Sequence, residues 1–180
     1  VAEVARTVNQ TRLPHHLLDT VEDERLRRHV LNEYLERFRS TLYRQTMFAE
    51  FEHRTHEMAE AGEPLTPDRL DDLYADLKGE YYAPADLDDR IAREWMRIPH
   101  FYRAFYVFQY ATGITSAVAL VEDIREEGED ATERYREFLE RGSHGYPREL
   151  LEDAGVDVTD PAHIERALSV YDSCREEFAR

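Results

Sequence analysis

Cysteine is nearly absent from this chain. Cys174 is the single one in 180 residues, so no internal disulfide can form and a secreted disulfide scaffold is excluded. Lysine is nearly absent too: of 23 basic residues, Lys78 alone is lysine and the rest are arginine. No apolar run approaches the roughly 20 residues that a membrane span needs. There is no signal-peptide pattern, strand-like alternation, internal repeat, low-complexity linker or glycine-rich phosphate loop.

Negative charge is what the sequence has in excess. Against 23 basic residues stand 39 acidic ones, a formal net charge of −16. Such a surface repels phosphate and anionic lipid, so neither nucleic acid nor membrane is the expected partner and a cytoplasmic location is expected. Arg25, Arg27 and Arg28 are interleaved with acids and make no basic patch. Acid excess with arginine in place of lysine fits the high-salt cytoplasm of a halophilic archaeon. There carboxylates hold water and cations while salt screens their repulsion. An acidic protein from a GC-rich genome would look similar. The chain opens on Val1 rather than Met, which suggests a fragment or a processed product.

Hydrophobic residues make up 42 %, with 11 Tyr and 8 Phe, enough for a packed core. Their spacing predicts an all-α fold with short connections. One helix is predicted from Val1 to Leu18, disturbed at Pro14, and Asp19 or Thr20 is the expected cap of the next. From Val21 to about Ala61 there is no proline or glycine. Leu26, Val30, Tyr34, Phe38, Leu42, Phe48 and Phe51 recur at helical intervals, so one long, kinked helix is expected, ended by Gly62 and Pro64. Thr66-Pro67 is a helix start, ending near Gly79, and a short helix follows over Leu87 to Arg97. Pro99 precedes the least charged stretch, His100 to Leu120, which reads as one buried helix ended by Gly128. An amphipathic helix over 129–141, a short one over Glu149–Ala154 and a last one begun by Thr159-Asp160-Pro161 complete the chain. The last carries Ile164, Leu168 and Tyr171 on one face.

Few residues offer chemistry in an obvious pattern. Zinc peptidases usually place two histidines one helical turn apart in HExxH, and that motif is absent. The nearest approach, His56-Glu57-Met58-Ala59-Glu60 with His53 beside it, lies in a charged stretch and reads as solvated surface. A di-iron bundle needs two Glu-x-x-His motifs. Only Glu50-Phe51-Glu52-His53 has that form, with Asp160-Pro161-Ala162-His163 a weak second. Cys174 has no nearby histidine and reads as a small buried residue. On a helix beginning at His100, phenylalanines 101, 105 and 108 share one face and tyrosines 102, 106 and 110 another. The first face needs only a core. The second carries hydroxyls that need partners or water, and with His100 it can line a polar cleft or simply pack.

The run Ile98-Pro99-His100-Phe101-Tyr102, continued by Phe105-Tyr106-Val107-Phe108-Gln109-Tyr110-Ala111-Thr112-Gly113, resembles the C-terminal signature of oligoendopeptidase F among the thimet-oligopeptidase-like zinc peptidases. Arg44–Glu52 (RQTMFAEFE), Gly79-Glu80-Tyr81-Tyr82 and the stretch from Gly142 to Asp157 resemble other segments of that family, as does Ala2-Glu3-Val4-Ala5-Arg6-Thr7-Val8-Asn9-Gln10. Here Arg6 stands where the family has Ser, Gln10 where it has Glu, and Phe108 where it often has Tyr. The likeness spans nearly the whole chain.

The resemblance implies a helical fold around a deep channel that admits short peptides. It implies zinc held by the two HExxH histidines and by a glutamate on a following helix, which corresponds to Glu3. It implies that His100 and tyrosines after the signature proline, for which Tyr106 and Tyr110 are the choices ahead of Tyr102, bind substrate and steady the oxyanion. Residues 1–180 are then expected to be the C-terminal part of the catalytic domain, with the HExxH-bearing part as its expected partner. Lacking the motif histidines, the chain is expected to be inactive alone. A non-catalytic helical module that binds peptides or a partner through its tyrosine face is the alternative.

Overall fold

The computed structural model describes residues 2–180. Among these there is no strand. Eight α-helices are joined by short connections: α1 (Ala2–Thr20), α2 (Glu24–Arg37), α3 (Arg44–Glu60), α4 (Pro67–Tyr82), α5 (Phe108–Glu127), α6 (Glu129–Arg141), α7 (Pro147–Ala154) and α8 (Ala162–Phe178). A π-helical stretch, Phe38–Tyr43, links α2 to α3, and two 3-10 helices, Asp89–Arg97 and Pro99–Tyr102, lie between α4 and α5. The chain divides into two compact units, one of residues 1–42 and 112–180, the other of residues 43–111.

In the first unit α1 runs through Pro14 to Thr20, two residues beyond the predicted end. The cap of α2 is Asp23, not Asp19 or Thr20; its Oδ1 accepts from the Leu26 N–H at 2.7 Å. The apolar run of α5 is buried throughout from Gly113 to Val121. It packs Ala117, Leu120 and Val121 against Val4 and Val8 of α1, Tyr135 and Phe138 of α6, and Leu150, Leu151 and Ala154 of α7. Each large apolar side chain so buried contributes roughly 1.5–3 kcal/mol. Arg37 of α2 donates to the Gln10 carbonyl of α1 at 2.7 Å. The buried face of α8 is His163, Ala167 and Cys174, while Ile164 is exposed. Burial pushes the Cys174 thiol up to about 11, which keeps it protonated and unreactive.

In the second unit the expected helix start at Thr66-Pro67 is present, and the Thr66 hydroxyl accepts from the Arg69 N–H at 3.4 Å. That helix continues past Gly79 to Tyr82. Its core joins Met47, Phe48 and Phe51 of α3 to Tyr74 and Leu77 of α4, closed by Ile98 and Val107. Phe51 meets Tyr74 edge-on with ring centroids 5.3 Å apart.

Through this core runs a buried charge cluster. Glu94, 5 % exposed, accepts from the Tyr74 hydroxyl at 2.8 Å, from Lys78 Nζ at 3.0 Å, from Arg97 Nη2 at 2.7 Å and from Arg44 Nη2. The only lysine of the chain is thus itself buried, with Nζ 4.1 Å from the Tyr82 ring centroid. Burial works against the Glu94 carboxylate, but the donors outweigh it and hold its pKa at about 2. Two elements, α3 and α4, thereby grip the 3-10 helix that leads directly to Pro99 and His100.

The folded pKa of Glu94 lies below the unfolded value of 4.5, so its contribution is complete above that pH and is lost as the pH falls towards 2. Glu94→Gln leaves Lys78 and Arg44 without their buried counter-charge. Urea unfolding at neutral pH is expected to show a loss of about 3–5 kcal/mol. A variant as stable as its parent would contradict this reading of the cluster.

Candidate functional site

The segment from His100 to Val107 is not the start of a long helix. Pro99 opens a single 3-10 turn ending at Tyr102, Arg103 is extended with φ −120°, and α5 begins only at Phe108. Between them lies a tight turn. The Tyr106 N–H donates to the Arg103 carbonyl at 3.2 Å, and Phe105, third residue of that turn, has φ +55°. A turn of this form ordinarily takes glycine there. A bulky side chain in the left-handed region costs on the order of 1–3 kcal/mol. The turn has support from α3: the Phe105 N–H donates to Glu52 Oε1 at 2.9 Å. Glu52 is itself 5 % exposed. A hydrogen bond to a charged acceptor returns roughly 1.5–3 kcal/mol, comparable with the conformational cost.

Because the chain reverses at Phe105, Tyr106 comes back over His100. Their rings are nearly parallel, at 10°, with centroids 6.0 Å apart. Tyr110, on the first turn of α5, meets both rings edge-on, at 5.6 Å from His100 and 5.5 Å from Tyr106. Its hydroxyl lies 3.2 Å from His100 Nε2, within hydrogen-bond distance, the direction of the bond depending on the ring tautomer. The Arg103 guanidinium sits 4.6 Å over the Tyr106 ring. All three rings are half-buried. The result is an imidazole and two phenols gathered in one place, groups that donate hydrogen bonds without carrying a fixed negative charge.

Three of the four aromatic site residues expected from the sequence are therefore together. Tyr102 is not with them; it is 90 % exposed. The phenylalanine face also fails as a continuous core stripe. Phe101 packs on Phe48 and Phe51, at 5.7 and 5.4 Å, but Phe105 and Phe108 are both 49 % exposed. Phe105 lies on His56 with centroids 4.5 Å apart.

Glu3 belongs to the first unit. It stands on the first turn of α1, and a Cβ on Gly113 of α5 would lie 3.5 Å from its own Cβ, an ordinary van der Waals contact. Arg6, one turn on, donates to Glu3 Oε2 at 2.6 Å. A carboxylate is an oxygen donor that zinc accepts, but catalytic zinc takes about three protein ligands. Among the described residues no group of three or more His, Cys, Asp and Glu is placed to hold a metal ion. His53 pairs with Glu57 at 3.4 Å on the exposed side of α3, as a solvated surface requires.

Glu52, Glu94 and the left-handed Phe105 were not singled out by sequence reasoning. A signal existed for two of them. Glu52 lies four residues after Phe48 on the apolar stripe of α3, and Lys78, the partner of Glu94, lies four after Tyr74 on that of α4. A charge on a buried stripe calls for a partner.

Comparison with known proteins agrees along the whole chain. A family model described as peptidase family M3 matches residues 1–170. The chain is 49 % identical to oligopeptidase PepF of Bacillus subtilis over 99 % of its own length and 27 % of that protein's. It is 42 % identical to the group B oligopeptidase PepB of Streptococcus agalactiae, over 96 % of this chain and 29 % of the other. Among solved structures, the crystal structure of oligoendopeptidase-F from Enterococcus faecium superposes with a TM-score of 0.95 at 46 % identity. It covers 99 % of this chain and 34 % of that one. The chain thus spans about a third or less of the relatives it matches, and it belongs to peptidase family M3.

Proposed function

We propose that these 180 residues form the C-terminal part of the catalytic domain of an oligoendopeptidase that hydrolyses short peptides. In this reading they supply one metal ligand, Glu3, and the donors that meet the reacting carbonyl, His100 with Tyr106 and Tyr110. The observation that carries the reading is the convergence of that imidazole and those two phenols, which the turn at Phe105 creates. The names of the relatives, oligopeptidases and oligoendopeptidases, support the substrate class.

Hydrolysis of a peptide bond builds negative charge on the carbonyl oxygen as the tetrahedral intermediate forms. Donors fixed in advance stabilise that charge without first having to reorient, an effect of roughly 3–4 kcal/mol per donor. Stacking of Tyr106 on His100 and the edge-on contacts of Tyr110 restrict the rings before substrate arrives. Zinc, when bound, polarises the scissile carbonyl and lowers the pKa of its water. Glu3 would hold it together with two histidines of an HExxH motif, which residues 1–180 do not contain. Alone, the chain is therefore proposed to be inactive. Arg6 is placed to orient the Glu3 carboxylate through their ion pair.

The acid excess, with arginine almost wholly replacing lysine, supports a source with a high-salt cytoplasm, such as a halophilic archaeon.

In a complete enzyme joining this chain to an HExxH-bearing part, His100→Ala should lower kcat by roughly 10²–10³ while KM changes little. The 180 residues alone should cleave no quenched-fluorescent peptide. An unchanged kcat in the variant would remove the role given to His100. Thermal melts of the chain should rise on going from low salt to molar KCl, and equal or greater stability in low salt would remove the halophile reading.

A further inference from the structure

We propose that Glu52 is a positioning residue for peptide hydrolysis: its buried carboxylate holds the left-handed turn at Phe105 and so keeps Tyr106 against His100. The inference rests on the role given above to His100 and the tyrosines, and deepens it. Glu52 does not itself reach the reacting atoms in this account. It acts through a backbone N–H.

Four observations within residues 43–111 carry the proposal. Phe105 has φ +55°, where a bulky residue needs an external restraint. Its N–H is the donor to Glu52 Oε1 at 2.9 Å, so the restraint falls on the strained residue itself. Glu52 is 5 % exposed on α3, the helix whose Phe48 and Phe51 side chains belong to the core. Finally, Tyr106 is the next residue, and the same turn is closed by its own N–H on the Arg103 carbonyl at 3.2 Å. Release of Phe105 to an ordinary φ would rotate the following peptide and carry the Tyr106 ring off His100. A displacement of about 1 Å in a reacting group is enough to cost on the order of 10²-fold in rate.

The carboxylate serves here as an acceptor, not as an acid or a base. That separates the proposal from a purely electrostatic role. Glu52→Gln keeps an acceptor oxygen of the same shape, whereas Glu52→Leu removes it. Glycine takes φ near +55° without a side-chain penalty, so Phe105→Gly should weaken the turn's dependence on Glu52.

In the complete enzyme, E52L is expected to lower kcat by about 10- to 100-fold with KM little changed. E52Q should stay within about threefold of the parent. Adding F105G to E52L should recover much of the lost kcat. In the 180-residue chain, the Phe105 amide should exchange slowly with deuterium, and quickly in E52L. An unchanged kcat in E52L overturns the proposal, as does an E52Q variant as poor as E52L. A freely exchanging Phe105 amide in the unsubstituted chain overturns it too, and decides the matter should E52L fail to fold. Y106F separates the two levels of the account. If Y106F lowers kcat and E52L does not, positioning by Glu52 fails alone. If Y106F leaves kcat untouched, the function given to Tyr106 fails, while the exchange rates still decide whether Glu52 holds the turn.

Discussion

The backbone at Phe105 fixes what this region can be. A residue at φ +55° cannot lie inside a helix, so the chain must stop, reverse and start again between Tyr102 and Phe108. That reversal is what sets Tyr106 parallel to His100 and lets Tyr110 close against both. Had the segment been a straight helix, His100 and Tyr110 would be separated along its axis by about 15 Å, at 1.5 Å per residue. Instead the Tyr110 hydroxyl is 3.2 Å from the His100 ring nitrogen. The gathering of donors that the functional reading needs therefore depends on one unfavourable dihedral and on whatever compensates it.

Two buried carboxylates do the holding, one on each side of His100. Glu94 fixes the approach: four donors from α3, α4 and its own turn converge on it, and the only lysine of the chain is among them. Glu52 fixes the return, through the Phe105 N–H. Most acidic residues of this chain can spread their charge into water and salt, where individual ion pairs contribute little. These two are out of water and cannot. Each must find donors or carry a heavy desolvation cost, which makes the geometry around them specific. Lysine suits the Glu94 site because its compact ammonium lies over the Tyr82 ring while it donates to the carboxylate.

The helical architecture was largely legible in the residues. Thr66 before Pro67 capped α4, Gly62 and Gly128 ended helices with positive φ, and the apolar run after Gly113 was buried as its composition required. The stretch from Val21 to Ala61 read as one kinked helix; it is α2 and α3 joined by a π-helical turn, which no residue type announces. The structure departs furthest from the sequence pattern after His100, where helical periodicity gives way to a turn. Nothing between His100 and Val107 is proline or glycine, and the side chain at Phe105 argues against the conformation it adopts. Tertiary contact with Glu52 overrode local preference there. Tyr106 and Tyr110 met as their four-residue spacing suggested, but by way of a turn, and Tyr102 was lost to solvent for the same reason. The family resemblance pointed to His100 and, among the tyrosines, to Tyr106 and Tyr110 ahead of Tyr102.

The central claim is that His100, Tyr106 and Tyr110 are gathered to meet the oxygen of the bond being cut. It is tested most directly by the crystal structure of a complete zinc-loaded enzyme containing this chain, bound to a phosphinic peptide whose tetrahedral phosphorus imitates the intermediate. The account predicts a phosphinyl oxygen within about 3 Å of the His100 ring or of a Tyr106 or Tyr110 hydroxyl. A phosphinyl oxygen bound by other groups, with these three rings turned away from it, would contradict the account.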